Sequence, residues 1–201
     1  MNVGLRSASR LMRAALRALL VLTVLLGICY PLAVTGIARA AFPDRADGSP
    51  AGPGGKPVGS SLIGQTWNGP EGRPDPKWFQ PRPSAGGYDG LASGACNLAA
   101  TSPELLRQVE QRRARTAEFN HVRAAAVPPD AVTASGSGLD PDISPAYAAL
   151  QVHRVAEARG VHPATVRGLV EKHTEPRTAG FLGEPVVNVL ELNLDLRDLG
   201  T

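Results

Sequence analysis

Apolar residues form one long uninterrupted block near the start of the chain. Residues 18–38, with the sequence ALLVLTVLLGICYPLAVTGIA, contain no charged side chain and lie between Arg17 and Arg39. As a helix, a block of this length spans about 31 Å, close to the roughly 30 Å hydrocarbon core of a bilayer. We therefore predict one transmembrane helix over 18–38, with a kink near Gly27 and Pro31.

The same block also resembles a secretory signal peptide, because a basic segment precedes it and Ala38-Arg39-Ala40 resembles a cleavage site. However, the block is longer than the roughly 7 to 15 apolar residues of a signal peptide, and an arginine lies inside the cleavage site. These two features favour a membrane anchor over a cleaved leader.

Glycine and proline dominate the segment that follows. They occupy 20 of the 48 positions from 43 to 90, which excludes a long helix there and predicts a loop region. Residues 60–67, SSLIGQTW, have the apolar and β-branched content of a short strand. Residues 76–84, PKWFQPRPS, are predicted to form an edge strand or an extended loop, because Pro81 and Pro83 cannot donate a hydrogen bond to a ladder.

Three later segments have the start signals of helices. The first begins at Pro103, the second begins at Pro145 and ends before Gly160, and the third begins at Pro163. Proline is favoured at the first helical position, and glycine is favoured just past the last one. The positions with helical spacing that we expect to face the core are Tyr147, Leu150, Val155, Ala158, Val166, Leu169 and Val170.

Leucines alternate with polar residues near the end of the chain. The leucines are Leu190, Leu192, Leu194 and Leu196, and Glu191, Asn193 and Asp195 separate them. A period of two predicts a half-buried strand. The predicted fold class is α+β, with one N-terminal transmembrane helix followed by a small antiparallel sheet with helices on one face. The predicted organisation is a basic tail at 1–17, the transmembrane helix at 18–38 and an α+β domain at 39–201.

The net charge of +3 is unevenly distributed over the 201 residues. Four arginines and no carboxylate precede residue 18, whereas the later part carries 17 basic and 18 acidic residues. Positive charge beside a membrane span stays in the cytoplasm, so we predict a cytoplasmic tail and an extracytoplasmic domain in a single-pass protein of the cell membrane. The near-neutral outer domain excludes general binding of nucleic acid.

The sequence shows no motif of a hydrolase, a zinc protease or a nucleotide-binding loop. The four histidines are His121, His153, His162 and His173. Cys29 and Cys96 are predicted to be free thiols without zinc-ligand spacing, so we assign no catalytic residue and no metal ligand. A membrane-anchored or secreted hydrolase stays open as an alternative, because a triad can assemble from distant residues. It would require His153 or His173 beside a serine and an aspartate.

The segment VTASGSGLDPDISP at 132–145 is the best candidate for a contact site. Its candidate residues are Ser135, Gly136, Ser137, Gly138, Asp140 and Asp142. Gly136 and Gly138 would offer backbone N–H groups to an anion or a partner loop, and the aspartates would bind a cation or an arginine. A calcium loop is disfavoured, because the required glycine and closing glutamate are missing. A plain strand–turn–helix connection, in which the aspartates accept hydrogen bonds from the backbone, stays equally open.

Several segments together resemble one known family. Behind a single N-terminal span the chain carries GSSLIGQ at 59–65, WFQPRPS at 78–84, VTASGSGLDPDISPAYAALQVHRVAEARG at 132–160, EKHT at 171–174 and FLGEPVVNVLELNLDL at 181–196. In this order they resemble the C chain of the Kdp potassium-transporting ATPase, the KdpC family, over nearly the whole chain.

This resemblance implies a non-catalytic accessory subunit of an ATP-driven, high-affinity potassium uptake complex. Its partners would be a potassium-channel-like A chain that selects K⁺ and a P-type ATPase B chain that hydrolyses ATP. The family is also described as a catalytic chaperone that raises the ATP affinity of the B chain, which would place ATP near residues 135–142 and Gln151. The arginine asymmetry locates that region outside the cell, where ATP is scarce, and therefore favours a role in assembly and stability.

Overall fold

The computed structural model describes residues 3–199, which form two compact units that divide between Ser49 and Pro50. The first unit consists of helix α1 (Val3–Val24), a π-helical turn (Leu25–Cys29), helix α2 (Tyr30–Ala41) and the short helix α3 (Pro43–Ala46). The helical stretch Ser7–Ala41 is long and apolar enough to cross a membrane, and none of its most apolar part is buried. It extends beyond both ends of the predicted span.

The π-helical turn lies where the sequence predicts a kink. Pro31 has no N–H group, and in a regular α-helix its ring would collide with the carbonyl of Gly27. In the structure the Tyr30 N–H donates to the carbonyl of Leu25, five residues earlier, which widens the turn. The helix therefore continues through the proline with a local distortion instead of ending there.

Four α-helices lie in residues 50–199, the described part of the second unit. They are α4 (Pro103–Phe119), α5 (Pro145–Arg159), α6 (Pro163–Lys172) and α7 (Val189–Asp198). The three helices predicted at prolines are confirmed, and the residue before each proline caps the helix. The side chains of Ser102, Ser144 and His162 accept hydrogen bonds from N–H groups of the first turn. Helix α5 ends at Gly160, whose φ of +67° is readily adopted only by glycine.

Two small antiparallel sheets complete the second unit. Strands β1 (Pro50–Ala51) and β2 (Gly59–Ser60) form one sheet, and β3 (Asp142–Ile143), β4 (Thr174–Glu175) and β5 (Val186–Asn188) form the other. The order in the second sheet is β3-β5-β4, with Ile143 and Thr174 aligned on either side of the buried Val187. Helices α5 and α7 both contact the central strand β5. The predicted α+β class is confirmed.

The prediction of a strand at 190–196 is wrong, because these residues lie in helix α7. The buried positions Val189, Leu190, Leu192, Asn193 and Leu196 follow the spacing of one helical face. The strand prediction assumed that Asn193 faces solvent, and only under that assumption do the leucines alternate with exposed residues. The Asn188 side chain caps the helix by accepting a hydrogen bond from the Glu191 N–H, and leucine is a strong helix former.

Of the two segments predicted in the loop region, 60–67 is not the short strand expected, and 76–84 is the extended loop rather than the edge strand of its two alternatives. In 60–67 only Ser60 belongs to a strand, and 76–84 is a turn followed by irregular extended backbone. Pro81 and Pro83 remove two ladder donors from this segment, so it cannot form a regular strand. Its central residues are nevertheless buried: Phe79 is fully inaccessible and Gln80 is nearly so.

The hydrophobic core of the second unit lies between the helices and the three-stranded sheet. Its fully buried side chains include Phe79, Val155, Val166, Val187, Leu192 and Leu196. Among the positions expected to face inward, Tyr147, Val155, Val166 and Val170 are buried, and Leu150 and Leu169 pack partly buried against the core. Ala158 is half-buried.

Candidate functional site

The segment 133–141 is a loop that closes on itself through its own serines. The Ser135 hydroxyl accepts a hydrogen bond from the Gly138 N–H at 2.8 Å, and the Ser137 hydroxyl accepts one from the Leu139 N–H at 3.1 Å. Gly138 adopts a φ of +69°, and a Cβ there would lie 2.7 Å from the Gly94 carbonyl oxygen. The Gly138 N–H is therefore used within the loop and is not offered to an anion, contrary to the expectation from sequence.

Two other irregular segments hold this loop in place. The Gly64 N–H donates to the Leu139 carbonyl, and the Gly94 N–H donates to the Ser137 carbonyl, both at 2.8 Å. The Ser84 hydroxyl donates to the Gly138 carbonyl at 2.7 Å. Gly64 and Ser84 belong to the glycine- and proline-rich region at 43–90, and Gly94 follows it closely, so this part of the chain packs around residues 135–139.

Arg82 forms an ion pair with the first of the two predicted aspartates. Its Nη1 lies 2.7 Å from Oδ2 of Asp140, and about a quarter of each side chain is exposed. The other carboxylate oxygen of Asp140 accepts a hydrogen bond from the Asp142 N–H at 3.1 Å. Burial, reinforced by the Asp140 charge, raises the pKa of Tyr88, whose hydroxyl donates to the Arg82 carbonyl. Asp140 thus pairs with an arginine of the chain itself, and a contact of this aspartate with another molecule stays a prediction.

Asp142 lies next to other acidic groups rather than next to an arginine. Burial raises the pKa of its carboxyl to about 6, and the charges of Asp140 and Glu175 add to the effect. A hydrogen bond from Asn188 acts in the opposite direction without cancelling it. Asp142 is therefore a carboxyl that gains a proton at mildly acidic pH.

The exposed part of the loop adjoins two exposed apolar side chains. Gly136 and Ser137 are exposed, whereas Ser135 and Gly138 are buried. Leu62 is 61% exposed and Ile63 is 41% exposed, and both line a shallow cavity of about 520 Å³ together with the loop. We call Leu62, Ile63, Gly136 and Ser137 the tip surface. Exposed apolar side chains that lie side by side are typical of surfaces that contact other proteins.

Gln151, the remaining predicted contact residue, is fully buried on helix α5. Its Oε1 accepts a hydrogen bond from the Gln80 N–H at 2.7 Å, and its Nε2 donates to the Gln80 carbonyl at 3.0 Å. Both ends of the amide are thus used to hold the backbone of the extended segment. Among the residues that the structure describes, no hydrogen bond joins Gln151 to residues 135–142, and its side chain is inaccessible to solvent.

Arg154 is a buried arginine whose position the sequence did not reveal. Its guanidinium donates to Oε1 of Gln151, to Oδ1 of Asn120 and to the carbonyls of Pro76 and Trp78. It also lies 4.4 Å from the centroid of the Phe119 ring. Burial lowers the pKa of Arg154 to about 10, so the side chain is charged at neutral pH. The amide and carbonyl oxygens around the buried guanidinium stabilise its charge by accepting hydrogen bonds, as a carboxylate does in an ion pair.

The histidines do not assemble a triad. His173 Nε2 lies 2.9 Å from Oδ2 of Asp195, and the same oxygen accepts a hydrogen bond from the Lys172 ammonium at 2.6 Å. His153 is exposed on α5. Over residues 3–199, no hydrogen bond joins either imidazole to a serine, so the arrangement proposed for a hydrolase is not present. Cys29 and Cys96 are exposed free thiols, as expected.

Asn193, Arg82 and Arg154 are the important polar residues to which sequence reasoning assigned no role. Arg82 lies in a proline-rich segment, whereas Asn193 and Arg154 are polar residues among the apolar positions of helices α7 and α5. For Asn193 and Arg154 the available signal was their place on the buried face of an amphipathic helix. Apart from Gln151, which lies three residues before Arg154, their partners are 34 to 114 residues away in sequence, so no local pattern identifies them.

Comparisons with known proteins agree over the whole length. The family model described as "K+-transporting ATPase, c chain" matches residues 12–198. A potassium-transporting ATPase KdpC subunit from Streptomyces coelicolor is 54% identical over 218 aligned positions, which cover 99% of this chain and 97% of that protein. The corresponding subunit from Kineococcus radiotolerans is 52% identical and covers 98% of both chains. The subunit from Beijerinckia indica is 48% identical over 92% of this chain and 91% of its own.

Proposed function

Because this chain belongs to the KdpC family, the c chain of the K⁺-transporting ATPase, we propose that it serves as a non-catalytic accessory subunit of an ATP-driven potassium uptake complex. Its partners in this proposal are a potassium-channel-like A chain, which selects K⁺, and a P-type ATPase B chain, which hydrolyses ATP. The apolar helix anchors the chain in the cell membrane, and the second unit stabilises the assembly.

The orientation in the membrane is part of the proposal. Arg10, Arg13 and Arg17 lie on the N-terminal part of the long helix, and carboxylates are absent from the sequence before Asp44. Basic residues beside a span remain in the cytoplasm, so the second unit lies outside the cell. A reporter fused after residue 201 tests this: an enzyme active only in the periplasm or outside should be active, and one active only in the cytoplasm should be inactive.

The proposed contact with another subunit rests on the tip surface. Leu62 and Ile63 are exposed although most of the neighbouring backbone is fixed by hydrogen bonds within the unit. Exposed apolar side chains on a rigid support lose unfavourable hydration when a partner covers them. We therefore assign the contact with a membrane subunit to Leu62, Ile63, Gly136 and Ser137.

A charge placed on this surface tests the assignment. The double variant Leu62→Asp and Ile63→Asp should fold but should reduce both co-purification with the A and B chains and growth on limiting K⁺. Leu106→Asp is a matched control, because Leu106 on α4 is 60% exposed and lies outside the tip surface. Unchanged co-purification of the double variant, or equal loss in the control, would contradict the assignment.

An effect on the ATP affinity of the B chain fits this proposal only if it is transmitted through the assembled complex. Gln151 is fully buried and spends both amide groups on Gln80, so we do not assign it a nucleotide contact. The test is titration of the full-length chain with ATP in the absence of its partners. We expect no ATP binding that depends on Gln151, whereas Gln151-dependent binding would support the nucleotide-assisting role instead.

A further inference from the structure

A second cavity, of about 480 Å³, lies between helix α4 and the extended segment around residues 80–88. It is separate from the tip surface and shares with that cavity only the side chain of Arg82. Its volume is within the range of pockets that bind small organic molecules, roughly 300 to 1,000 Å³. We call it the arginine cleft, after Arg82, Arg112 and Arg115 in its lining.

The lining of the arginine cleft is positively charged. It contains these three arginines and no aspartate or glutamate. Arg82 is compensated by Asp140, but among the described residues Arg112 donates only to neutral groups, the Val132 carbonyl and the Gln108 side-chain oxygen, each at 3.1 Å. Arg115 is exposed, and within the part of the chain that the structure describes it forms no ion pair. Two guanidinium charges are therefore left for an anion.

The remainder of the lining is suited to a flat apolar body. Tyr88, Phe119 and Tyr147 contribute aromatic rings, and three prolines contribute rigid apolar walls. Phe119 is held by the Arg154 guanidinium on its ring, and Tyr88 is fixed by the hydrogen bond from its hydroxyl to the Arg82 carbonyl. The aromatic surfaces are thus preorganised, which lowers the entropy lost on binding.

We propose that the arginine cleft binds a small organic anion, with an aromatic or otherwise flat apolar body against the rings and a carboxylate or similar group near Arg112 and Arg115. Planar guanidinium groups bind such oxyanions through paired, charge-assisted hydrogen bonds. An inorganic anion alone would leave the apolar walls in water, and a neutral aromatic molecule would leave the two charges uncompensated. This proposal does not depend on the contact role of the tip surface.

Two nearly isosteric compounds test the proposal. The full-length chain, reconstituted into nanodiscs of neutral phosphatidylcholine, is titrated by calorimetry with naphthalene-2-carboxylate and separately with 2-naphthamide, and empty nanodiscs provide the background. We expect saturable binding of the carboxylate and binding of the neutral amide that is weaker by about tenfold. Equal binding of the two compounds, or no binding of the carboxylate, would overturn the proposal.

Arginine variants locate the binding site. Arg115→Gln should weaken binding of the carboxylate by about tenfold and leave binding of the amide unchanged. Arg113→Gln is the matched control, because Arg113 is an exposed arginine on the same helix and does not line the cleft. The same loss in both variants would show nonspecific attraction and would overturn the assignment.

A steric variant gives an independent readout. Thr66 is exposed and lines the cleft, so Thr66→Trp should fill part of it and abolish binding of both compounds without unfolding the protein. Thr165→Trp, at an exposed position on helix α6, provides the control. Circular dichroism verifies that both variants fold. Retained binding in folded Thr66→Trp protein would place the compound elsewhere and overturn the proposal.

Discussion

The side-chain amide of Asn193 pairs with the backbone of Phe79 through two hydrogen bonds. Oδ1 accepts from the Phe79 N–H and Nδ2 donates to the Phe79 carbonyl, both at 2.9 Å. Gln151 makes the equivalent pair of bonds with the next residue, Gln80. Opposed residues in an antiparallel ladder exchange the same two bonds, so two helices supply to this proline-flanked segment what a neighbouring strand would supply in a sheet.

Removing the Asn193 amide should destabilise the second unit strongly. In Asn193→Ala the buried N–H and carbonyl of Phe79 lose their partners, which should lower the free energy of unfolding by about 2 to 4 kcal/mol. Urea unfolding followed by tryptophan emission measures this, since the only two tryptophans, Trp67 and Trp78, lie next to the segment with ring centroids 5.0 Å apart. Asn68→Ala, at an exposed position, is the control and should change stability by less than about 0.5 kcal/mol.

Gln151 should behave as a structural residue. Gln151→Leu leaves the Gln80 N–H and carbonyl without a side-chain partner and removes the acceptor of Arg154 Nη2. We therefore expect it to lower the free energy of unfolding by about 2 to 3 kcal/mol. Gln151→Glu keeps an acceptor for the Gln80 N–H and for Arg154 and should lose less. Unfolding curves of both variants, with and without ATP, check this. A variant with wild-type stability but altered response to ATP would contradict the structural role.

The two glycines of the candidate loop should respond differently to substitution. Gly138→Ala combines a positive φ with a Cβ too close to the Gly94 carbonyl, so it should lower the free energy of unfolding by about 1 to 3 kcal/mol. Gly136→Ala has open space at the Cβ position and should be nearly neutral. Thermal unfolding of the two single variants makes the comparison, and similar losses in both would show that the loop is not fixed as described.

Asp142 should make stability depend on pH in a defined direction. Its folded-state pKa of about 6 lies above the value of roughly 3.9 in an unfolded chain, so the folded state holds the proton more tightly. The contribution of this carboxyl to stability is therefore fully present below about pH 4 and is lost as the pH rises through 6. The Asp142→Asn variant has no carboxyl at this position, so it does not lose this stability as the pH rises. Between pH 4 and pH 7.5, its free energy of unfolding should rise by about 1 kcal/mol relative to that of the parent, a value reduced for solvent screening of a half-buried group.

The carboxyl of Asp195 should make stability depend on pH in the direction opposite to that of Asp142. Hydrogen bonds from Lys172 and His173 lower the pKa of its carboxyl, so its contribution is present above the unfolded-state pKa and is lost in acid. Asp195→Asn should therefore lose a few tenths of a kcal/mol at pH 7.5 and approach the parent near pH 3. Thermal unfolding over this range tests both substitutions. If the two differences changed with pH in the same direction, the assigned environments would be wrong.

Local features of the fold were predictable because their partners are close in sequence. Ser144 caps helix α5 by bonding the N–H three residues later, and Gly160 ends the same helix through its own backbone conformation. The apolar block and the proline within it likewise determine the long helix and its distortion. Helix α7 and residues 60–67 were exceptions. The leucines from 190 to 196 fit a period of two when Asn193 is counted as exposed, and only Ser60 of the strand predicted at 60–67 lies in a strand.

Sequence by itself thus determined the long apolar helix, the three proline-started helices, the charge asymmetry and the resemblance to a family. Tertiary structure alone decided which polar side chains are buried and what they bind. Asn193 meets Phe79 across 114 positions and Gln151 meets Gln80 across 71. A buried amide is stable only where donors and acceptors converge on it, and that convergence depends on the packing of elements distant in the chain. The family resemblance predicted Gln151 as a contact residue, and only the folded chain shows its amide hydrogen-bonded to the buried backbone of Gln80.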